Sequence, residues 1–179
     1  YPRTTESDIN ILTEKKCNIL YLPEGSDLFV KNEKVKQFDF DGLDKFMEGS
    51  IRKNHFNGVA TIVEKLFKIV NPEKAFFGEK DLQQLQIIKY MSKQLQLPIE
   101  IIGIPTKREE SGLAMSSRNK LLLESDLQKA TLIYKTLKFI KENTSNFKVE
   151  ELKKLAIERF SHQTDLNLEY LEIVSLEKL

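Results

Sequence analysis

A single cysteine, no tryptophan and only two histidines stand among the 179 residues, and each scarcity removes a class of chemistry. Cys17 has no second thiol to pair with, so no internal disulfide staples the chain. Neither histidine lies near it in sequence to activate it, which makes it a packed side chain rather than a nucleophile. An excess of charge of one sign is missing too. The 28 Lys and Arg face 27 Asp and Glu, and the resulting +1 gives no general pull toward nucleic acid or an anionic membrane. Any anion site must therefore be local. There is no signal-like apolar run and no stretch long enough to span a bilayer, which with the lone cysteine points to the reducing cytoplasm. Internal repeats and low-complexity segments are also absent.

What is present is a 40% share of apolar residues, enough to build one domain, or one domain and a small second one. Thr4 to Lys16 places Ile9, Ile11 and Leu12 behind hydroxyl and acidic residues and reads as a helix with a polar start. Asn18-Ile19-Leu20-Tyr21-Leu22 reads as a buried strand, closed by Pro23 and a turn over Glu24 to Asp27. Lys31 to Gln37 is a charged exposed loop or edge hairpin. From Gly58 to Val70, a stripe of Val59, Ile62, Val63, Leu66, Phe67 and Val70 predicts a mostly buried helix. Pro72 ends it, Ala75-Phe76-Phe77 follows as a strand, a helix runs from Lys80 to about Leu95, and Ile99 to Ile104 is another apolar strand.

Strands alternating with helices give a parallel sheet with right-handed crossovers, whose ligands bind beyond the carboxyl ends of the strands. After Pro105 the alternation stops. Leu127–Glu142 and Val149–Phe160 predict two amphipathic helices, and Leu168 to Val174 alternates as a half-buried strand. The expected fold class is α/β: a Rossmann-like parallel sheet over residues 1–106, then a smaller α+β domain over residues 107–179.

Two clusters carry candidate chemistry. Ala75 to Gln84 joins a strand, a glycine turn at Gly78 and a polar helix start around Lys80, where unpaired backbone N–H groups and a mobile ammonium would favour an anion. On a helix, Lys80 and Asp81 would share a face with Gln84. Downstream, Gly112-Leu113-Ala114-Met115-Ser116-Ser117-Arg118-Asn119 gathers hydroxyls, an arginine and small residues without helical periodicity. Taken singly, each cluster is a weak signal, since such a pattern is more often plain scaffold.

In this order, with His55-Phe56-Asn57-Gly58-Val59-Ala60-Thr61 and Tyr1-Pro2-Arg3-Thr4 ahead of them, the clusters closely resemble the pantothenate synthetase (pantoate–beta-alanine ligase) family of the nucleotidylyltransferase superfamily. The resemblance implies an ATP-dependent ligase that converts pantoate to an adenylate and then joins it to beta-alanine, with Mg2+ and a homodimeric state. It also implies that Gly78, Glu79, Lys80 and Asp81 bind ATP, Lys80 on phosphate oxygens and Asp81 on the ribose or another polar group. Met115, Ser116, Ser117 and Arg118 match a second ATP segment, and Lys107 matches a backbone contact to ATP. Lys80, Ser116 and Arg118 are then the catalytic candidates. Gln84 and Arg52 match pantoate-binding positions. Asp8 matches a position that can hold magnesium, with Ser7 standing where some relatives have a second acid. His55 falls at a helix start, where capping or packing competes with ligand contact.

The family's first strand, its Pro-Thr-Met-Gly segment, a first pantoate glutamine and its His-x-Gly-His motif are expected ahead of Tyr1, and its last strands after Leu179. The chain is therefore expected to be part of the enzyme and not to turn over by itself. Asn57 stands where an arginine is frequent and Ser111 where an aspartate is common. Two other readings stay open: an adenylyl-transferring enzyme of the same superfamily acting on a different acid or phosphate, and a nucleotide-binding module without catalysis. Gln84 and the segment around His55 weigh against the first.

Overall fold

The computed structural model describes residues 4–29, 34–163 and 165–176. Tyr1, Pro2 and Arg3, and residues 31–33 of the expected loop, lie outside them. Two strands pair in parallel. β1 (Lys74–Gly78) and β2 (Glu100–Ile104) run in register from Lys74 opposite Glu100 to Gly78 opposite Ile104. A parallel pair needs a crossover, and α5 (Leu82–Gln94) supplies it. α4 (His55–Val70) precedes β1 and packs on α5. Its end is sharp because Asn71 adopts a left-handed φ of 46° and Pro72 follows.

The core lies between these helices and one face of the sheet. Phe56, Ala60 and Phe67 of α4 cluster with Ile87, Ile88 and Met91 of α5 and with Phe40. Ala75 and Phe77 of β1 and Ile101 of β2 close over them. Burying each large apolar side chain is worth about 1.5–3 kcal/mol, so this cluster fixes α5 against the sheet. The opposite face stays open, with Phe76 62% exposed.

α4 buries part of the face its apolar pattern predicts, with Phe67 in the core and Val59 and Val63 packed against it, and a polar face besides. Asn57, Thr61 and Glu64 are buried at i, i+4 and i+7, while Ile69 and Val70 are exposed. The reason lies in the segment over residues 34–40, which crosses α4 without a strand partner and takes its bonds from those side chains. Asn57 Oδ1 accepts the Phe38 N–H at 2.8 Å and Thr61 Oγ1 accepts the Lys36 N–H at 3.2 Å. Lys36 Nζ then reaches both Glu64 oxygens at 2.9 Å, and Lys68 Nζ reaches Oε1 at 2.8 Å. Buried backbone groups must find partners, and here a helix face provides them.

The remaining elements are helical. α1 (Thr5–Glu14) is shorter than the span expected, α2 (Gly25–Leu28) replaces a simple turn, and α3 (Met47–Ile51) falls where no helix was expected. α6 (Glu124–Asn143) begins three residues ahead of the predicted Leu127, and it packs on α7 (Val149–Glu158), which buries Leu152 and Ala156.

Two expected strands do not form. Asn18 to Leu22 pairs with no strand among the described residues, and Ile19 is 83% exposed. An apolar run becomes a strand only against a neighbour that accepts its ladder. Leu168 to Val174 likewise makes no ladder, although Leu171 and Ile173 are half-buried between exposed neighbours as the alternation required. One ion pair links that segment to α7, Lys153 Nζ to Glu172 Oε2 at 2.6 Å, and a second, Lys129 Nζ to Asp165 Oδ2 at 2.6 Å, links the residues just before it to α6. Cys17 is exposed rather than packed, and its thiol donates to the Ile19 carbonyl at 3.2 Å.

Glu64 makes the α4 face testable. Burial pushes its carboxyl up, but hydrogen bonds and charge from Lys68 and Lys36 outweigh this and hold it below the ordinary value of 4.5. The unfolded chain therefore binds that proton more tightly, so the stabilisation is present above pH 4.5 and is lost as the pH falls through the folded-state value. Glu64→Gln is expected to cost about 1.5–3 kcal/mol near neutral pH and to flatten the acid-side loss of stability seen in urea unfolding. An unchanged acid slope would remove Glu64 from that role.

Candidate active site

The carboxyl ends of β1 and β2 lie side by side at Gly78 and Ile104, and the chain leaves Gly78 through a 3₁₀ turn over Glu79–Asp81 before α5 begins at Leu82. The helix thus starts two residues later than the expected Lys80. Asp81 takes the N-cap position, yet its carboxylate makes no capping bond and remains available. Gly78, Glu79, Lys80 and Asp81 are all exposed. Gly78 has φ −70° and ψ 132°, an ordinary extended conformation, so the unusual backbone angle anticipated for it is not used. A Cβ there would meet nothing within 4 Å. Glu79 folds back over β2, where Gly103 leaves it room: a Cβ on Gly103 would lie 3.0 Å from Glu79 Oε1.

Just inside α5, Gln84 is half-buried while Gln83 is only 6% exposed. Gln83 Nε2 donates to the Leu43 and Phe46 carbonyls, both at 2.8 Å, which ties the turn before α3 to the start of α5. Its Oε1 is buried without a hydrogen-bond partner among the described residues. Arg52 closes α3 and pairs through Nη1 with Glu48 Oε1. His55, the first residue of α4, places Nε2 3.7 Å from the same oxygen. Burial lowers the His55 pKa, the Arg52 charge lowers it further, Glu48 opposes both, and the net shift is downward. His55 is therefore neutral at neutral pH. Tyr170 of the C-terminal segment is pushed up by burial first, then by the charges of Glu48, Glu169 and Asp81. The charges of Glu48 in α3 and of Asp81 at the α5 start thus both act on that phenol.

A cleft of about 1070 Å³ opens between α1, the segment over residues 109–120 and α6. Asp8 of α1 lines it together with Met115, Ser116 and Ser117 and with Leu127 and Thr131 of α6. Thr4 Oγ1 donates to the Asp8 carboxylate at 3.2 and 3.3 Å. Ser116 Oγ accepts the Arg118 N–H at 3.2 Å and starts a 3₁₀ turn over Ser117–Leu121, while Ser117 Oγ is buried without a partner among the described residues. The wall carries Asp8, Glu109, Glu110 and Glu124 against Lys120, so a polyanion would enter this cleft only with a cation. Among the described residues no three His, Cys, Asp or Glu side chains converge on a metal position.

The structure thus unites Asp8 with Met115, Ser116 and Ser117, and places Gly78 to Asp81 and Gln84 together at the sheet edge. Lys107 stands three residues past β2. Arg52, Lys107, Arg118 and the Gly78–Asp81 turn do not line the cleft. Sequence reasoning missed Glu48, Gln83 and Tyr170. Nothing in the pattern marks Glu48 or Tyr170, whereas Gln83 could have been found as the second residue of the helix, beside the glutamine that was chosen.

A parallel β-α-β unit whose carboxyl edge presents an exposed Gly-Glu-Lys-Asp turn, followed by a hydroxyl-rich segment beyond the next strand, is the build of a nucleotidylyltransferase. Residues 1–179 match the family described as Pantoate-beta-alanine ligase, and the chain belongs to it. It is 41% identical over 180 residues to the pantothenate synthetase of Christiangramia forsetii, covering 100% of this chain and 64% of that protein. The Aquifex aeolicus pantothenate synthetase is 41% identical over 178 residues, with coverage of 97% and 62%. Among solved structures, pantothenate synthetase from Thermus thermophilus superposes with a TM-score of 0.94 at 36% identity, over 100% of this chain and 65% of that one. Pantoate-beta-alanine ligase from Francisella tularensis, complexed with beta-gamma ATP and beta-alanine, gives 0.74 at 34% identity, over 89% and 59%. The chain spans somewhat less than two thirds of the length of these relatives.

Two glycines separate structural need from ligand need. Gly112 has φ +87°, and a Cβ there would lie 2.0 Å from Tyr134 Cδ1. Gly112→Ala is expected to cost about 1–3 kcal/mol in thermal or urea unfolding. Gly78→Ala, in open space at an ordinary φ, should stay within about 0.5 kcal/mol of the parent; a large loss would mean that the open end of β1 is misplaced.

Proposed function

We propose that this chain takes part in the ATP-dependent condensation of (R)-pantoate with beta-alanine to pantothenate, through a pantoyl adenylate, with release of pyrophosphate and AMP. The observation that carries the proposal is the exposed Gly78–Asp81 turn at the shared carboxyl end of β1 and β2, in a chain that matches the pantoate-beta-alanine ligase family along its full length. The Francisella tularensis relative, complexed with beta-gamma ATP and beta-alanine, supports the choice of co-substrates.

In the first step a pantoate carboxylate oxygen attacks the α-phosphorus and pyrophosphate leaves. Charge grows on phosphate oxygens, and fixed donors aimed there lower the barrier. Lys80 is the exposed ammonium at that edge, and the first N–H groups of α5 add the helix end. The empty space over Gly78 lets ligand atoms approach the backbone. Asp81 holds the ribose, or another polar group of the ligand, with the carboxylate it does not use for capping. Lys107 contacts ATP through its backbone, whose carbonyl accepts the Met115 N–H at 3.0 Å and keeps a second lone pair. Gln84 and Arg52 bind pantoate, Gln84 by donating to and accepting from the hydroxy acid and Arg52 by its charge. Met115, Ser116 and Ser117 grip the nucleotide from the cleft, and Arg118, next in the chain, reaches its phosphates from outside that lining. In the second step the beta-alanine amine attacks the acyl carbon, loses a proton, and AMP departs with the bridging oxygen.

Asp8, the α1 carboxylate on the cleft, is the side chain to contact a magnesium ion carried in on the phosphates, where the ion would neutralise charge; one carboxylate plus phosphates is an ordinary magnesium set. A division into residues 1–106 and 107–179, a homodimer and a cytoplasmic location belong to the same proposal. Among the described residues no helix is long and apolar enough to cross a membrane.

One observation favours a second reading for the isolated chain. Its two histidines, His55 and His162, stand in no His-x-Gly-His motif, so the 179 residues alone are expected to bind nucleotide without turnover. The experiment is pantoate-dependent pyrophosphate release by the full-length protein and by this chain. The full-length protein should release it, Lys80→Ala should slow release about 100- to 1,000-fold without changing Tm, and the 179-residue chain should be silent. Near-normal rates for Lys80→Ala would remove that lysine from the phosphate site, and release by the chain alone would discard the second reading.

A further inference from the structure

The segment that carries Met115 to Ser117 is a closed hairpin. Arg108 and Ala114 form an antiparallel bridge, the Glu109 N–H donates to the Leu113 carbonyl at 2.8 Å, and Asn119 Nδ2 donates to the Ala114 carbonyl at 3.1 Å. This hairpin meets α6 at Tyr134. The Arg108 guanidinium lies over the Tyr134 ring, 4.2 Å from its centroid, and Arg108 Nη1 donates to the Gly112 carbonyl at 3.2 Å. Gly112 is buried against the same ring, so closely that any side chain there would collide with it. Guanidinium, ring and turn backbone therefore interlock. Tyr134 also follows Leu127 and Thr131 at helical spacing, and those two residues line the cleft. The ring thus stands on the helix that lines the cleft and touches the hairpin whose Leu113, Met115, Ser116 and Ser117 line it too.

We infer that Arg108 and Tyr134 are positioning residues for the nucleotide: acting through the 113–117 arm, they set where Met115, Ser116 and Ser117 meet a ligand in the cleft. The inference rests on the proposed function in taking that cleft as part of the ATP site. The ring face and the planar guanidinium do the positioning. The tyrosine hydroxyl does not.

The test uses the full-length protein, varying ATP and pantoate separately in pyrophosphate release and measuring ATP binding directly. Tyr134→Ala and Arg108→Met should each raise the KM and Kd for ATP about tenfold or more, with the KM for pantoate within about twofold, while Tyr134→Phe matches the parent. A merely structural role would lower Tm without that split. Equal changes in both KM values, unchanged ATP values, or a Phe variant as damaged as the Ala variant would overturn the inference. Should Tyr134→Ala fail to fold by circular dichroism, Arg108→Met at its half-buried site decides the question through the same ATP and pantoate values. If the parent binds ATP but releases no pyrophosphate with pantoate, the proposed function fails and the Kd comparison alone decides the positioning. A parent that does not bind ATP overturns both.

Discussion

The packing of α5 against α4 under a five-residue parallel ladder determines where this chain can do chemistry. Ile87, Ile88 and Met91 are completely buried, so α5 cannot slide along the sheet without opening voids beneath it. The ladder is equally constrained. A slip of one residue would turn Phe77 out of the core and Phe76 into it, which the one-sided burial of β1 forbids. With the helix and the strand both fixed, the turn over Glu79–Asp81 has one place to go, the carboxyl edge beside Ile104. The exposure of Lys80 and Asp81 is thus a consequence of apolar packing about two and three turns further along, in the helix that follows them.

Buried polar side chains extend that frame into segments with no ladder of their own. Asn57, Thr61 and Glu64 hold the segment over residues 34–40 to α4, and Gln83 holds the next turn, at Leu43 and Phe46, to α5. α3 follows immediately and carries Glu48 and Arg52. The geometry of the Arg52–Glu48–His55 group therefore depends on amides and a carboxylate that would look like solvent-facing residues if only their type were known. The same logic operates at the hairpin after β2, where a glycine, an arginine and a tyrosine take the place of a hydrophobic core.

Much of this could be read from the residues. The strands around Phe76 and Ile102, the helix between them, the break at Pro72 and the paired helices near the C-terminus follow from period and breaker residues alone, and the quoted motifs carried the family. What failed, failed for physical reasons. Asn18–Leu22 and Leu168–Val174 have the composition of strands, but a strand also needs a neighbour, which composition does not encode. The buried face of α4 is wider than its apolar stripe because its polar residues are covered by a segment more than fifteen residues upstream, and helical periodicity does not record which segments return. The 3₁₀ start of α5 is a shift of two residues that no residue type signals. The roles proposed for Gln84, Arg52, Asp8 and Arg118 came from the family motif, whereas Glu48 and Tyr170 appear only in three dimensions.

The central claim is that the carboxylate of pantoate becomes bonded to the α-phosphorus of ATP at the edge where Gly78 and Lys80 stand. Its most direct measurement is the fate of a heavy-oxygen label placed in the pantoate carboxylate and followed by mass spectrometry after turnover of the full-length protein with ATP and beta-alanine. Attack at the α-phosphorus, followed by amine attack at carbon, leaves one carboxylate oxygen in the departing nucleotide, so the account predicts labelled AMP and unlabelled pyrophosphate. Unlabelled AMP, or label in inorganic phosphate with ADP as the nucleotide product, would contradict it.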